Sequence, residues 1–153
     1  MILAIDPSLA STGIAVLNNK KEIQYITTIK TKSDESIGKR ISRFCEEIEK
    51  IIDTYKIDLV LTEFNYSGGS KEVNWVLGNI FRITEEQDIR IVTYAPATVK
   101  KVCSGSGRAT KADMKKAIIK IYGDMKSNEH IRDALGVAHC YFVKEEINHG
   151  ICN

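Results

Sequence analysis

The chain has 153 residues, of which 43% are hydrophobic and 27% charged, enough apolar content for one folded unit spanning 1–153. No stretch approaches the ~20 apolar residues of a membrane span, and the start lacks a basic-then-apolar leader, so the expectation is a cytoplasmic protein with no membrane partner. A net charge of +2 does not announce a nucleic-acid binder by itself, and Cys45, Cys103, Cys140 and Cys152 contain no CxxC pair, so they read as free thiols rather than a zinc or dithiol motif.

Taken in order, Met1 to Ile5 is an apolar run of strand length closed by Asp6, directly before Pro7, and Thr12 to Leu17 is a second. After a polar turn, Glu22 to Ile29 alternates with Ile23 and Tyr25 on one face, which makes a three-stranded antiparallel meander. From Ser33 to Lys56 the period changes: Ile37, Ile41, Phe44 and Ile48 recur at helical steps. Asp58 to Phe64 returns as a strand, and a return after a helix normally makes a parallel neighbour. Its end carries a second acid, Glu63. The loop NYSGGSKE then leads into a helix over Glu72 to Gln87, with Val73, Val76, Leu77, Ile80 and Phe81 at helical spacing. A fifth strand covers Arg90 to Ala95, and Pro96 can open a short helix that SGSG, Ser104 to Gly107, must end. Two helices finish the chain, Lys111 to Tyr122 and roughly Glu129 to Glu146. The order βββαβαβαα predicts an α/β fold, a five-stranded mixed sheet flanked by helices, three strands antiparallel and two parallel.

Asp6 and Glu63 belong together, because the first and fourth strands can lie side by side with both acids near their ends. In NEHIRDALGVAH, Asp133 follows His130 by three residues, so the two share one face of the last helix. If that helix covers the sheet, three carboxylates and an imidazole converge. Two carboxylates about 4 Å apart repel by on the order of 4 kcal/mol at an effective dielectric of about 20, which protonation or a cation must relieve. Oxygen-rich donor sets suit Mg²⁺ or Mn²⁺, and Mg²⁺ keeps waters and uses substrate phosphate oxygens, so the cluster points to phosphodiester chemistry with two ions. Each residue alone also fits a duller role, as a turn-forming acid or a first-turn pair favoured by the helix dipole. Between Lys100 and Lys120 lie seven basic residues against one acid, Asp113, a surface for phosphates or merely a solvated helix face.

AIDPSLASTGIAV, LTEF and HIRDALGVAHCY resemble the opening, the second acidic strand and the terminal helix of the RuvC Holliday-junction resolvases, in the RNase H-like (retroviral integrase) superfamily. The likeness runs from about Ile2 to Tyr141. It implies that Asp6, Glu63, His130 and Asp133 are the metal-binding catalytic positions. VKKVCSGSGRATK is similar to the family's lysine, Gly-x-Gly turn and second lysine, which places Lys100, Gly105, Gly107 and Lys111 by the DNA backbone, with Lys111 also in the catalytic set. Lys101, Arg108 and Lys115 extend that basic surface. Tyr66 stands where the family has an aromatic that stacks at the junction centre, and the helix over Glu72 to Gln87, with Trp75, matches its dimer interface. Three departures stand out: Ser8 replaces the usual glycine after Asp-Pro and tightens the approach to the first acid, His130 stands where many members have aspartate, and NYSGGSKE differs from common versions of its loop.

The implied function is a metal-dependent endonuclease that resolves four-way DNA junctions, with other branched DNA as a wider substrate range, by paired nicks leaving 5′-phosphate and 3′-hydroxyl ends. It would act as a homodimer with two Mg²⁺ ions, for which Mn²⁺ can substitute. A related nuclease on RNA or RNA–DNA hybrid and a non-catalytic junction binder are the alternatives. The short chain without a long tail fits a viral, phage-type member.

Overall fold

The computed structural model describes residues 1–65, 68–125 and 127–148. Strands β1 (Ile2–Asp6), β2 (Ser11–Leu17) and β3 (Ile23–Lys30) form the antiparallel meander; helix α1 (Ile37–Tyr55) crosses over to β4 (Leu59–Glu63), and α2 (Lys71–Glu86) leads to β5 (Arg90–Tyr94). The sheet order is β3-β2-β1-β4-β5, with β4 parallel to both β1 and β5. Three helices close the described chain: α3 (Pro96–Ser104), α4 (Lys111–Tyr122) and α5 (Glu129–Asn148). The short helix at Pro96 is thus a full element, and the order is βββαβαβααα.

Strand alternation divides the core. Leu3, Ile5, Ile14, Val16 and Val60 face α1 and α2, whereas Ile2, Ala4, Ala15, Leu17 and Leu61 face α5 and the helices α3 and α4 behind it. α1 starts later than its periodicity suggests because the Ser36 side chain accepts from the Lys39 N–H and fixes the cap there. Two apolar residues counted in helical stripes are not in the core: Ile37 is 42% exposed and Phe81 36%. Cys45, Cys103 and Cys140 are free thiols, and Cys152 lies outside the described residues.

Parallel pairing of β1 with β4 is what makes a site here. Ile5 stands opposite Thr62, so Asp6 and Glu63 end adjacent strands at the same edge of the sheet. An antiparallel pairing would send them to opposite ends.

Candidate active site

Asp6 and Glu63 are the last residues of their strands, each half-buried. α5 descends onto this edge over β2, and the approach depends on Gly13: a Cβ there would stand 2.0 Å from the His130 carbonyl oxygen. Asn128 sets the start of α5, since its Oδ1 accepts the Ile131 N–H at 3.0 Å while its Nδ2 donates to Thr28 Oγ1 at 2.7 Å. The first turn of α5 then brings His130 Nδ1 to 2.8 Å from Asp6 Oδ2, within hydrogen-bond distance. Ser8 takes no left-handed backbone conformation; its carbonyl accepts from the Thr12 hydroxyl and so helps shape the turn after Asp6.

The three carboxylates feel one another. Burial, then repulsion from Asp6 and Asp133, raises the Glu63 pKa to about 7, with Lys100 opposing. Burial, then Asp6 and Glu129, raises Asp133 to about 6, against His130 and Arg132. Asp6 is pushed up by burial too, but its hydrogen bond to His130 draws it back. Such a donor set, all oxygen but for one imidazole and short of positive charge, fits a divalent cation. Among the described residues, no group of three or more His, Cys, Asp or Glu side chains stands close enough to enclose an ion by itself. An open set of this kind suits a cation that completes its shell with water and substrate phosphate.

The basic residues divide. Lys100, half-buried on α3, lies near enough to Glu63 to lower its pKa, and Lys111, first residue of α4, places Nζ 2.6 Å from Glu129 Oε1, beside His130. Gly105 caps α3 in the left-handed conformation at φ 84°, and Gly107 passes so close to the Ala97 carbonyl that a Cβ would stand 3.2 Å from it. Lys101, Arg108 and Lys115 are exposed but diverge into three clefts, Lys101 with Lys144, Arg108 with Lys116 and Lys120, Lys115 with Arg132. Tyr66 lies outside the described residues. Reading by motif missed Glu129, which pairs with Lys111, and Asn128, although an asparagine before an acidic first turn is a helix-start signal.

A family model for Crossover junction endodeoxyribonuclease RuvC matches residues 2–141. Among similar curated proteins, the Crossover junction endodeoxyribonuclease RuvC of Borrelia turicatae is 32% identical over 152 residues, covering 92% of this chain and 94% of that one, and its counterpart from Corynebacterium jeikeium is 29% identical, covering 96% of each. Both are bacterial and lend the phage-type expectation no support. Among solved structures, Thermus thermophilus RuvC in complex with Holliday junction substrate superimposes with a TM-score of 0.82 at 21% identity, covering 96% of this chain and 95% of that one. Fowlpox virus resolvase with substrate Holliday junction DNA gives 0.65 at 13%, covering 94% and 99%. At these identities the structural likeness speaks for the RNase H-like fold.

Proposed function

The chain belongs to the RuvC family of crossover junction endodeoxyribonucleases, and from that membership we infer that it is an endonuclease that resolves Holliday junctions. Residues 1–153 act as one nuclease domain, as a homodimer, in the cytoplasm where its DNA substrate lies. The observation that carries the reading is the meeting of Asp6, Glu63, Asp133 and His130 at one edge of the sheet.

Hydrolysis of a phosphodiester requires an activated water and a stabilised leaving oxygen, and a pair of divalent ions, Mg²⁺ or in its place Mn²⁺, supplies both. Asp6 with His130 or Asp133 would hold one ion, and Asp6 with Glu63 the other. The parallel strands β1 and β4 hold the half-buried carboxylates at one end of the sheet, where the ions they would bind could meet the scissile phosphate. Lys100 beside Glu63 and Lys111 at the rim offset phosphate charge there, with Gly105 and Gly107 letting the backbone of the turn come near the strand. Lys101, Arg108 and Lys115 hold flanking phosphates, and Tyr66 offers a face to an unstacked base. Cleavage leaves 5′-phosphate and 3′-hydroxyl ends.

The test is cleavage of a strand-labelled four-way DNA junction against linear duplex and RNA–DNA hybrid, with Mg²⁺, Mn²⁺ or chelator. Paired, metal-dependent nicks near the junction centre are the expected result, and Asp6→Asn should abolish them while junction binding persists. Preference for the hybrid would make the protein an RNA-directed nuclease; binding without cleavage would make it a junction binder.

A further inference from the structure

The sheet edge that ends in Asp6 carries a second group of cations, on the other side of Asp6 from Glu63. Asp6 stands opposite Gly13 and Gly13 opposite Thr28, so Asp6 and Thr28 project from the same sheet face. Lys30, two residues beyond Thr28 and exposed, shares that face. With ~4.8 Å between strands and ~3.4 Å per residue, its Cα lies on the order of 12 Å from that of Asp6.

The turn after Lys30 is tied to the loop that follows Asp6. Thr31 donates its N–H to the Ala10 carbonyl at 3.2 Å and its hydroxyl to the Leu9 carbonyl. Arg40 Nε, from the first turn of α1, donates to Thr31 Oγ1 at 2.9 Å, while its terminal nitrogens make no hydrogen bond among the described residues. Lys30, Lys32 and Lys39 are exposed and form no ion pair among the described residues. Residues 30–43 hold five cations against two acids, Asp34 and Glu35. Both Glu35 oxygens are taken by Arg43, at 2.7 and 3.0 Å. What remains is four cations, Lys30, Lys32, Lys39 and Arg40, against the single acid Asp34, tied through Thr31 to the loop beside the first acid; Lys30 shares that acid's sheet face, and Lys39 and Arg40 continue the positive charge past β3 onto α1, which packs on the other face. Clustered charge of one sign repels itself, and an anionic partner relieves it.

We propose that Lys30, Lys32, Lys39 and Arg40 form a second phosphate track, which holds the duplex arm leaving the cleavage site on the β3 side. The proposal rests on the reading of the protein as a junction endonuclease. At ~3.4 Å of helix axis per nucleotide of a strand, the ~12 Å from Asp6 to Lys30 is three to four nucleotides, so a strand cut at Asp6 reaches this track while still in the same arm. α3 and α4 then serve the other side of the site.

The experiment is junction binding by fluorescence anisotropy in chelator, over a salt series, for the wild-type protein and two double variants. Lys30→Ala with Lys32→Ala should weaken binding roughly tenfold near 0.1 M salt and flatten the plot of log affinity against log salt by about 2, since each lost phosphate contact removes about 0.9. Lys20→Ala with Lys50→Ala removes the same charge from elsewhere: Lys20 lies in the turn between β2 and β3, and Lys50 toward the end of α1 that reaches Met1. It should leave affinity and slope in place. Equal weakening by both pairs, or an unchanged slope in the first, overturns the track. Failure of the wild-type protein to bind the junction would instead overturn the nuclease reading on which the track depends.

Discussion

Burial and mutual repulsion raise Glu63 to about 7 and Asp133 to about 6, so both carboxyls hold protons in the folded chain at pH values where the unfolded chain has released them. The sign of the linkage follows: between the unfolded values, ~4.3 and ~3.9, and the folded ones, the native state binds more protons, so stability falls as pH rises. A tenfold difference in proton affinity between the two states is worth about 1.4 kcal/mol before solvent screening, which leaves a loss on the order of 2 kcal/mol between pH 5 and pH 8 for the metal-free protein. Thermal melts in chelator should fall over this window, and Mg²⁺ should restore most of the loss at pH 8. Glu63→Gln should raise metal-free stability at pH 8 and abolish detectable cleavage, the usual conflict between stability and a charged site. A melting temperature indifferent to pH, with Glu63→Gln no more stable than wild type, would mean that the carboxylates do not repel one another as their placement requires.

Among the elements, α5 matters most to the site because it delivers His130 and Asp133 from 124 and more residues away, and it does so across a glycine. Gly13→Ala meets backbone atoms of His130 at 2.0 and 2.2 Å, so the strand or the helix must move. A displacement of about 1 Å in a catalytic group costs about 10²-fold in rate. Gly13→Ala should therefore lower kcat by about that factor while far-UV circular dichroism stays native; wild-type turnover would show that α5 does not set the geometry. Much of this arrangement is legible in the sequence. Alternating apolar residues mark the strands, three-and-four spacing marks α1 and α5, and a returning strand after a helix implies the parallel neighbour that sets Glu63 beside Asp6. The rest depends on contacts that periodicity does not encode. α3 buries only Val99 and carries Lys100 and Lys101 in its middle, so it leaves no apolar stripe. The Lys111–Glu129 pair joins two helix starts, and the shared face of Lys30 and Asp6 exists only once three strands are in register.

At the scale of the whole molecule, a four-way junction has two-fold symmetry and paired nicks need two sites, which a two-fold dimer supplies. α2 has the surface for it. Trp75 and Phe81 are 37% and 36% exposed on a helix whose opposite side holds Val76, Leu77, Ile80 and Ile83 in the core. Between them in sequence, Gly78 sits where a Cβ would meet nothing within 4 Å. A glycine inside a helix costs about 1 kcal/mol relative to alanine, and in an isolated chain nothing at this position requires it. Close approach by a second α2 would. Sedimentation of the wild-type protein should give a dimer, and Trp75→Glu with Phe81→Glu a folded monomer that leaves singly nicked junctions in place of resolved duplexes. Gly78→Ala separates the two cases most directly: on a solvent-facing helix it raises stability by about 1 kcal/mol, whereas across a helix–helix contact it weakens the dimer. A wild-type protein that stays monomeric on the junction, with Gly78→Ala simply more stable, would require two independent monomers to make the two cuts.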